Sequence, residues 1–597
     1  MSVEKLITNH IDIWTAAIQA KSASGRGSNK KLELYGIKKL RELILELAVR
    51  GKLVPQDPTD EPAEQLRMAS IAAKDALIKA GQIKASRSKK DIKGEHFFTY
   101  PSTWATAKIE DLINVINGRA YKKTEMLAAG TPILRVGNLF TSNEWYYSDL
   151  ILDDDKYIDN GDLIYAWSAS FGPFIWDGGK VIYHYHIWKM DIYTDKALDK
   201  NFSKLYLQAI SERIKASGNG IAMLHMTKER MEKVVHPLPP IEEQQRIVAK
   251  VDELMALCDQ LEQQTDASIE AHQQLVTVLL DSLLLPPATA EGSILLPPAT
   301  AEGSLPSSAA DDFMANWARI SDHFDTLFTT EASIDALKQT ILQLAVMGKL
   351  VPQDPNDEPA SALLERIAAE KARLVKEKKI KVQKALPQIA DDEKPDFLPN
   401  GWECCRLDDI CFGITSGSTP PKINFQEEPG IPYLKVYNIR NQKIDFEYSP
   451  QFIDVECHLS KLARSVLYPG DVVMNIVGPP LGKIAIIPDS YPEWNCNQAI
   501  TFFRPILSAL NAYIYTYLIA GTFLDSIELI GTAGQDNISV TKSRSIVLPT
   551  PPLAEQVRIV AKVDELMAIC DQLKQRLSDS QQTQLKLTDA LVDGALA

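Results

Sequence analysis

The chain has 597 residues, 45% hydrophobic and 24% charged, with seven cysteines and a formal net charge of −14 at pH 7. It is several times longer than a usual domain of about 100–200 residues and can bury real cores, which excludes wholesale disorder and fibrous or collagen-like folds. The cysteines form no CxxC pair, the apolar run Leu275–Leu285 is too short to span a bilayer, and Met1–Leu6 leads into polar residues, so a reduced, cytoplasmic, multidomain protein is expected.

In chain order, Leu40–Val49 reads as a short apolar helix that Gly51 can end as a C′ residue, with Pro55 just beyond. The stretch LAVRGKLVPQDPTDEPA (47–63) continues as a Pro-punctuated turn into a second helix, with Asp60 or Glu61 near its start. From residue 97 to 240 β-rich runs alternate with turns: Leu163–Trp167, Pro173–Trp176 and Val181–Ile192, then a helical piece, Asn201–Ala216, and a glycine-containing loop, Ser217–Lys233. His184 and His186 would share a strand face, which is a better reading than a metal pair with no third ligand.

Pro239-Pro240 ends that region and a long helix begins, with Glu242 and Glu243 in its first turn, where carboxylates complement the dipole. Ile247, Val251, Leu254, Cys258 and Leu261 step by four and three, and the seam resumes at Leu275, Leu279 and Leu283. Ile241–Leu283 as helix would span about 65 Å. Cys258 on this seam reads as a small buried hydrophobe. Glu242–Asp281 also holds nine acids against only Arg246 and Lys250, half of the total excess, whereas residues 96–240 carry 16 bases and 17 acids. The acidity excludes a nonspecific polycation; it leaves the globular parts free to present local basic patches.

Next, LLPPATAEGS occurs at Leu284–Ser293 and again at Leu295–Ser304, a tandem repeat whose prolines and glycines bar a helix and make it an extended connector. The chain then repeats itself. LAVMGKLVPQDPNDEPA (344–360) differs from its first copy at two of 17 positions, and PPLAEQVRIVAKVDELMAICDQL (551–573) echoes PPIEEQQRIVAKVDELMALCDQL (239–261). The last helix carries Ile559, Val563, Leu566, Cys570, Leu573 and Leu577, then Leu587 and Leu591. The middles correspond faintly: GTPILRVGNL (130–139) with GIPYLKVYNI (430–439), and Gly161-Asp162 with Gly470-Asp471. Drift should have eroded flanks and middles alike, so one α/β or α+β fold is used twice with a shared frame and divergent reading surfaces. The polar stretch Lys21–Lys30 has no second copy. The near-identical GKLVPQDP flanks are either a brace under the long helices or a repeated docking face, in which case Lys52, Leu53, Lys349 and Leu350 would bind a partner.

No P-loop, no G-x-G-x-x-G after a strand and no Asn-Pro-Pro-Tyr-type methyltransferase motif occurs. Two divergent domains, each preceded by GKLVPQDP and followed by PPxxEQxRIVAKVDELM, resemble the specificity subunit of type I restriction–modification systems. The resemblance covers essentially the whole chain. It implies a mixed α/β (α+β) fold with a pseudo-twofold internal repeat: two target-recognition domains, Phe97–Pro240 and Phe397–Pro552, joined by a long antiparallel helix pair. Each domain would read half of a split, asymmetric site on double-stranded DNA. It also implies a non-catalytic chain without cofactors of its own, assembled with two modification subunits and with restriction/translocase subunits. Those partners would carry S-adenosylmethionine, ATP and Mg2+.

A half-site reader needs Arg, Lys, Asn and Gln for base edges and further cations for phosphates. In the first domain the candidates are Arg119, Lys122, Lys123, Arg135, Asn138, Lys228 and Arg230; in the second, Lys422, Lys435, Asn438, Arg440, Gln535, Asn537, Lys542 and Arg544. A coiled-coil scaffold with protein-binding lobes and a fused restriction–methylation enzyme are the rival readings.

Overall fold

The computed structural model describes residues 3–20, 32–84, 94–168, 170–217, 226–284, 317–318, 320–381, 384–395, 397–427, 429–527 and 537–597. The tandem repeat (from residue 285), the polar stretch 21–30 and Gln535 lie outside them. The chain divides into two units, Met1–Ser268 with Ser580–Ala597, and Ile269–Asp579.

The first unit holds two four-stranded sheets. One runs in the order Ile113–Asn117, Ile187–Ile192, Leu163–Ser168, Ser170–Ile175, all antiparallel. The other runs Tyr146–Ser148, Thr131–Leu134, Val181–Tyr183, Tyr157–Ile158, with the central pair parallel. Ala105–Lys108 pairs with Val235–Leu238 where the domain opens and closes. The second unit repeats this plan. Its antiparallel sheet is Thr415–Ser416, Ile500–Phe503, Val472–Asn475, Ile484–Ile486, its parallel pair is Ile431–Leu434 with Asn495–Cys496, and Glu403–Arg406 pairs with Val547–Thr550. It adds a hairpin, Ile439–Arg440 with Lys443–Ile444, in the stretch where the second copy is longer.

The run read as one strand, Val181–Ile192, is two. Residues 184–186 form a turn between them, so His184 and His186 do not share a strand face.

The helix ends obey the sequence. Tyr35–Val49 and Glu331–Val346 both stop before a glycine at positive φ, Gly51 (67°) and Gly348 (70°). A Cβ on Gly51 would lie 2.5 Å from Pro101 and 2.8 Å from Trp104; on Gly348 it would lie 2.5 Å from Pro399 and 3.0 Å from Trp402. The two flank motifs are locked together in each unit. Arg246 forks onto Asp60 (2.6 and 3.1 Å) and Arg558 onto Asp357 (2.7 and 3.3 Å). Gln244 and Gln556 each donate to the carbonyl of the proline that opens the PP motif, Pro239 and Pro551 (2.9 Å each). Trp402 donates to the buried carboxylate of Glu555 at 3.0 Å.

The long helices are Ile241–Leu284 and Leu553–Leu596. The first unit's core contains Ile247, Val251, Leu254, Cys258 and Leu261 of one and, half-buried, Leu591, Val592 and Leu596 of the other; the second core contains Ile559, Val563, Leu566, Cys570 and Leu573 with Val276 and Leu280. Lys52 Nζ donates to the Leu596 carbonyl (2.9 Å), and Lys349 Nζ to that of Leu284 (2.6 Å), placing a cation at each helix's negative end. Leu350 is buried and Leu53 half-buried against their cores. These four side chains therefore act as a brace inside the chain, and Leu350 is not at the surface for a partner to dock on.

The heptad expectation needs correction at the far ends. Leu275 is 57% and Leu587 43% exposed, while Val276 (2%) and Thr588 (0%) are buried. Each expected position lies four heptads after the first seam residue. A straight α-helix drifts by about 20° per heptad against a 3.5-residue period, so four heptads move the buried stripe by nearly one residue.

Candidate nucleic-acid interface

In both units the candidate face grows from a glycine that has no room for a side chain. A Cβ on Gly118 would lie 2.3 Å from the His184 carbonyl oxygen, and one on Gly417 2.1 Å from that of Cys496. In the first unit the following loop carries Arg119, which forks onto Glu125 (2.7 and 3.1 Å) and stacks 5.2 Å from the Tyr121 ring centre. Glu125 also accepts the Lys122 backbone N–H (2.8 Å), so this pair closes the loop and leaves Lys122 and Lys123 exposed at its tip. In the second unit the matching loop ends on exposed Lys422.

Asn138 and Asn438 occupy one structural position, and it is not a reading position. Asn138 Oδ1 accepts the Arg135 N–H (3.1 Å) while Nδ2 donates to the Glu144 carbonyl (2.8 Å). Asn438 Oδ1 accepts the Lys435 N–H (3.0 Å) and Nδ2 donates to the carbonyls of Asp445 and Tyr448 (3.4 Å each). Both close a turn with their polar atoms. Their neighbours are held over aromatic rings: Arg135 lies 4.4 Å from the Tyr146 centroid and Lys435 5.3 Å from that of Phe425.

The hairpin unique to the second unit turns at Asn441 and Gln442, both with positive φ (49° and 57°), which a two-residue turn matched to strand twist requires. Gln442 is pinned in that conformation: its Oε1 accepts the Ile484 N–H and its carbonyl the Tyr515 hydroxyl (2.8 Å each). Arg440 is exposed, 3.9 Å from the Tyr448 ring centre and 3.2 Å from Asp445. With Tyr437, Tyr448, Asn441 and Lys483 it lines a concavity of about 490 Å³. Cations on aromatic walls beside amides suit a polyanion with base edges.

The candidates near the domains' ends divide. Lys228 pairs with Glu232 (3.5 Å), and Arg230 forks onto Glu95 (2.6 and 2.8 Å) at a half-exposed site. Arg544 is largely buried, forked onto Asp408 (2.9 and 3.1 Å) and bonded to the Lys384 carbonyl, which makes it a structural residue. Lys542 is half-buried in the same short helix, and Asn537 bridges Val477 through its backbone.

Sequence reasoning missed Asn441 and Lys483 around the concavity, and two turns. Tyr185 and His186 form the turn beside Arg119, next to Trp167, whose ring centre is 5.0 Å from that of His186. Burial, His186 and Arg135 push the His184 imidazole down to about 4, so it is neutral at physiological pH. Gln498 and Ala499 form the matching turn in the second unit, where Thr419 donates to Gln498 and Arg464 to Ser418 Oγ (2.8 Å). The signal available was only the aligned position, directly before an isoleucine kept in both copies, Ile187 and Ile500.

No group of side chains among the described residues could hold a metal ion, and no helix among them is long and apolar enough to cross a membrane. The type I restriction modification DNA specificity domain matches twice, at residues 101–271 and 399–580, together more than half of the chain. The type I restriction enzyme EcoAI specificity subunit of Escherichia coli is 38% identical over 619 aligned positions, and the EcoEI specificity subunit of the same organism 38% over 628, each covering 100% of both chains. A chain of a solved type I R-M system aligns with a TM-score of 0.44 at 17% identity, over 83% of this chain and 98% of that one. With its doubled frame and two cation-bearing faces, this chain belongs to the family of type I restriction–modification specificity subunits, the DNA-recognising and non-catalytic members of their systems.

Proposed function

We propose that each unit reads one half of a bipartite, asymmetric duplex site, with the two 44-residue helices, about 66 Å each, setting the number of base pairs skipped between the halves. The observation that carries this reading is one backbone frame used twice with different exposed cations, amides and aromatics on it. A reader of two unlike half-sites needs that combination. The chain directs two modification subunits, which bring S-adenosylmethionine and methylate adenine, and restriction/translocase subunits that use ATP and Mg2+. An overall charge of −14 is compatible with this, because the acidity is concentrated on the first long helix and phosphate contact needs only local patches. Mapping methylated adenines in DNA from cells carrying this chain and its partners tests the reading. A split motif with two unlike halves is expected; an unsplit motif, or methylation independent of the chain, contradicts it.

A further inference from the structure

The loop after Gly118 and the turn at Tyr185-His186 are bound to each other through the backbone, and the second unit reproduces four of the bonds; a fifth, from the Tyr185 N–H to the Arg119 carbonyl (3.1 Å), belongs to the first unit. Gly118 N–H donates to the Ile187 carbonyl (3.2 Å) and Gly417 N–H to that of Ile500 (3.0 Å). Arg119 N–H donates to the Tyr183 carbonyl and Ser418 N–H to that of Cys496 (3.1 Å each). The turns are anchored alike: His184 N–H donates to the Leu134 carbonyl (2.9 Å) and Asn497 N–H to that of Leu434 (3.0 Å). They close alike too, Ile187 N–H on the His184 carbonyl (2.9 Å) and Ile500 N–H on that of Asn497 (3.1 Å).

The anchors keep their character while the tips do not. Gly118 and Gly417, Leu134 and Leu434, and Ile187 and Ile500 are identical in type, and the leucines and isoleucines are fully buried. At the tips, Arg119, Tyr185 and His186 stand where the second unit has Ser418, Gln498 and Ala499. Tyr185 and Gln498 are exposed. A turn needed only for folding has no reason to exchange an aromatic-basic tip for an amide on an unchanged backbone. A turn that meets different bases has one.

We infer that these two turns are specificity-determining elements of the two units: Tyr185-His186 for one half-site, and Gln498, oriented by Thr419, for the other. The inference rests on the half-site reading above and adds which residues discriminate. Gln498 has the side chain that pairs with adenine through N6 and N7 in the major groove, and the hydroxyl of Thr419, donating to the Gln498 side-chain oxygen, holds its amide in one orientation. In the first unit the tyrosine hydroxyl and the imidazole offer hydrogen bonds at the same place, backed by Trp167.

The test uses the full chain assembled with its modification subunits, wild type against Gln498→Ala, Gln498→Glu and the double variant Tyr185→Ala with His186→Ala. Methylated motifs are mapped genome-wide, and complex mass and melting temperature are recorded. Gln498→Ala should make one position of one half-site degenerate, with discrimination there reduced roughly 5- to 150-fold, and leave the other half unchanged. The double variant should do the reverse. Gln498→Glu, nearly isosteric at an exposed site, keeps the acceptor for Thr419 and loses the adenine donor; it gives the same readout should Gln498→Ala fail to assemble. Assembled variants that methylate the wild-type motif with unchanged discrimination at every position overturn the inference and leave the half-site reading standing. A wild-type complex with no bipartite motif overturns both.

Discussion

The flanks and the middles of the two copies teach different things. In the flanks four repeated residues pair within their own unit in both copies: aspartate with arginine, glycine with tryptophan, glutamine with a proline carbonyl, lysine with the end of a long helix. In the middles the repeated features are backbone bonds and buried anchors, and the exposed tips differ. Repeated pairs in this chain therefore mark the joint that holds a helix, and divergence marks the face we propose to meet DNA.

The largest expected effect breaks the joint. Leu350→Asp puts a carboxylate into a buried site and should cost about 3–5 kcal/mol of stability, while Leu53→Asp, half-exposed, should cost about 1–2 kcal/mol. Denaturant titration of the complex measures both, and equal, negligible losses would return the motif to the role of a docking face.

The joint should also be sensitive to pH. Burial pushes the Glu555 carboxyl up to about 7, with the Trp402 indole N–H and Arg558 opposing that rise. The folded chain then keeps a proton that the unfolded chain, titrating near 4.5, has released. Its contribution to stability is complete below about pH 4.5 and is lost as pH rises to about 7, on the order of 1–3 kcal/mol. Glu555→Gln should remove that dependence, so the melting temperatures of variant and wild type should diverge between pH 5 and pH 8, the variant being the more stable at the higher pH.

On the reading face, Arg440→Ala should lower discrimination by roughly 1–3 kcal/mol in the half-site read by the second unit only. A uniform loss of affinity across sequences, with a shallower salt dependence, would place Arg440 on a phosphate instead. The smallest effect belongs to Lys52→Met, which removes one cation from the end of the last helix and should cost about 0.3–1 kcal/mol, fading with added salt.

The long helices, the duplicated flanks and the two mixed domains were legible because length, period and repetition are properties of a linear string. The phase slip to Val276 and Thr588 was not, since a heptad count assumes 3.5 residues per turn and an α-helix has 3.6. Asn138 and Asn438 looked like base readers because an amide that closes a turn and one that meets adenine have the same side chain. The turns at Tyr185 and Gln498 were hidden for the opposite reason: a sequence shows neither which loops the backbone ties together nor which tips it leaves exposed. Arg544 needed Asp408, 136 residues away, before its role as an internal strut was visible.

The central claim is that two readers share one frame and act independently. The most direct measurement replaces residues 399–550 of the second copy with residues 101–238 of the first, leaving both long helices and both GKLVPQDP flanks in place, and maps the methylated adenines of the resulting complex. The first half-site should appear twice, at an unchanged spacing, with the second half-site gone. A folded, assembled hybrid that keeps the original asymmetric motif, or that reads a new sequence in both halves, would contradict the claim.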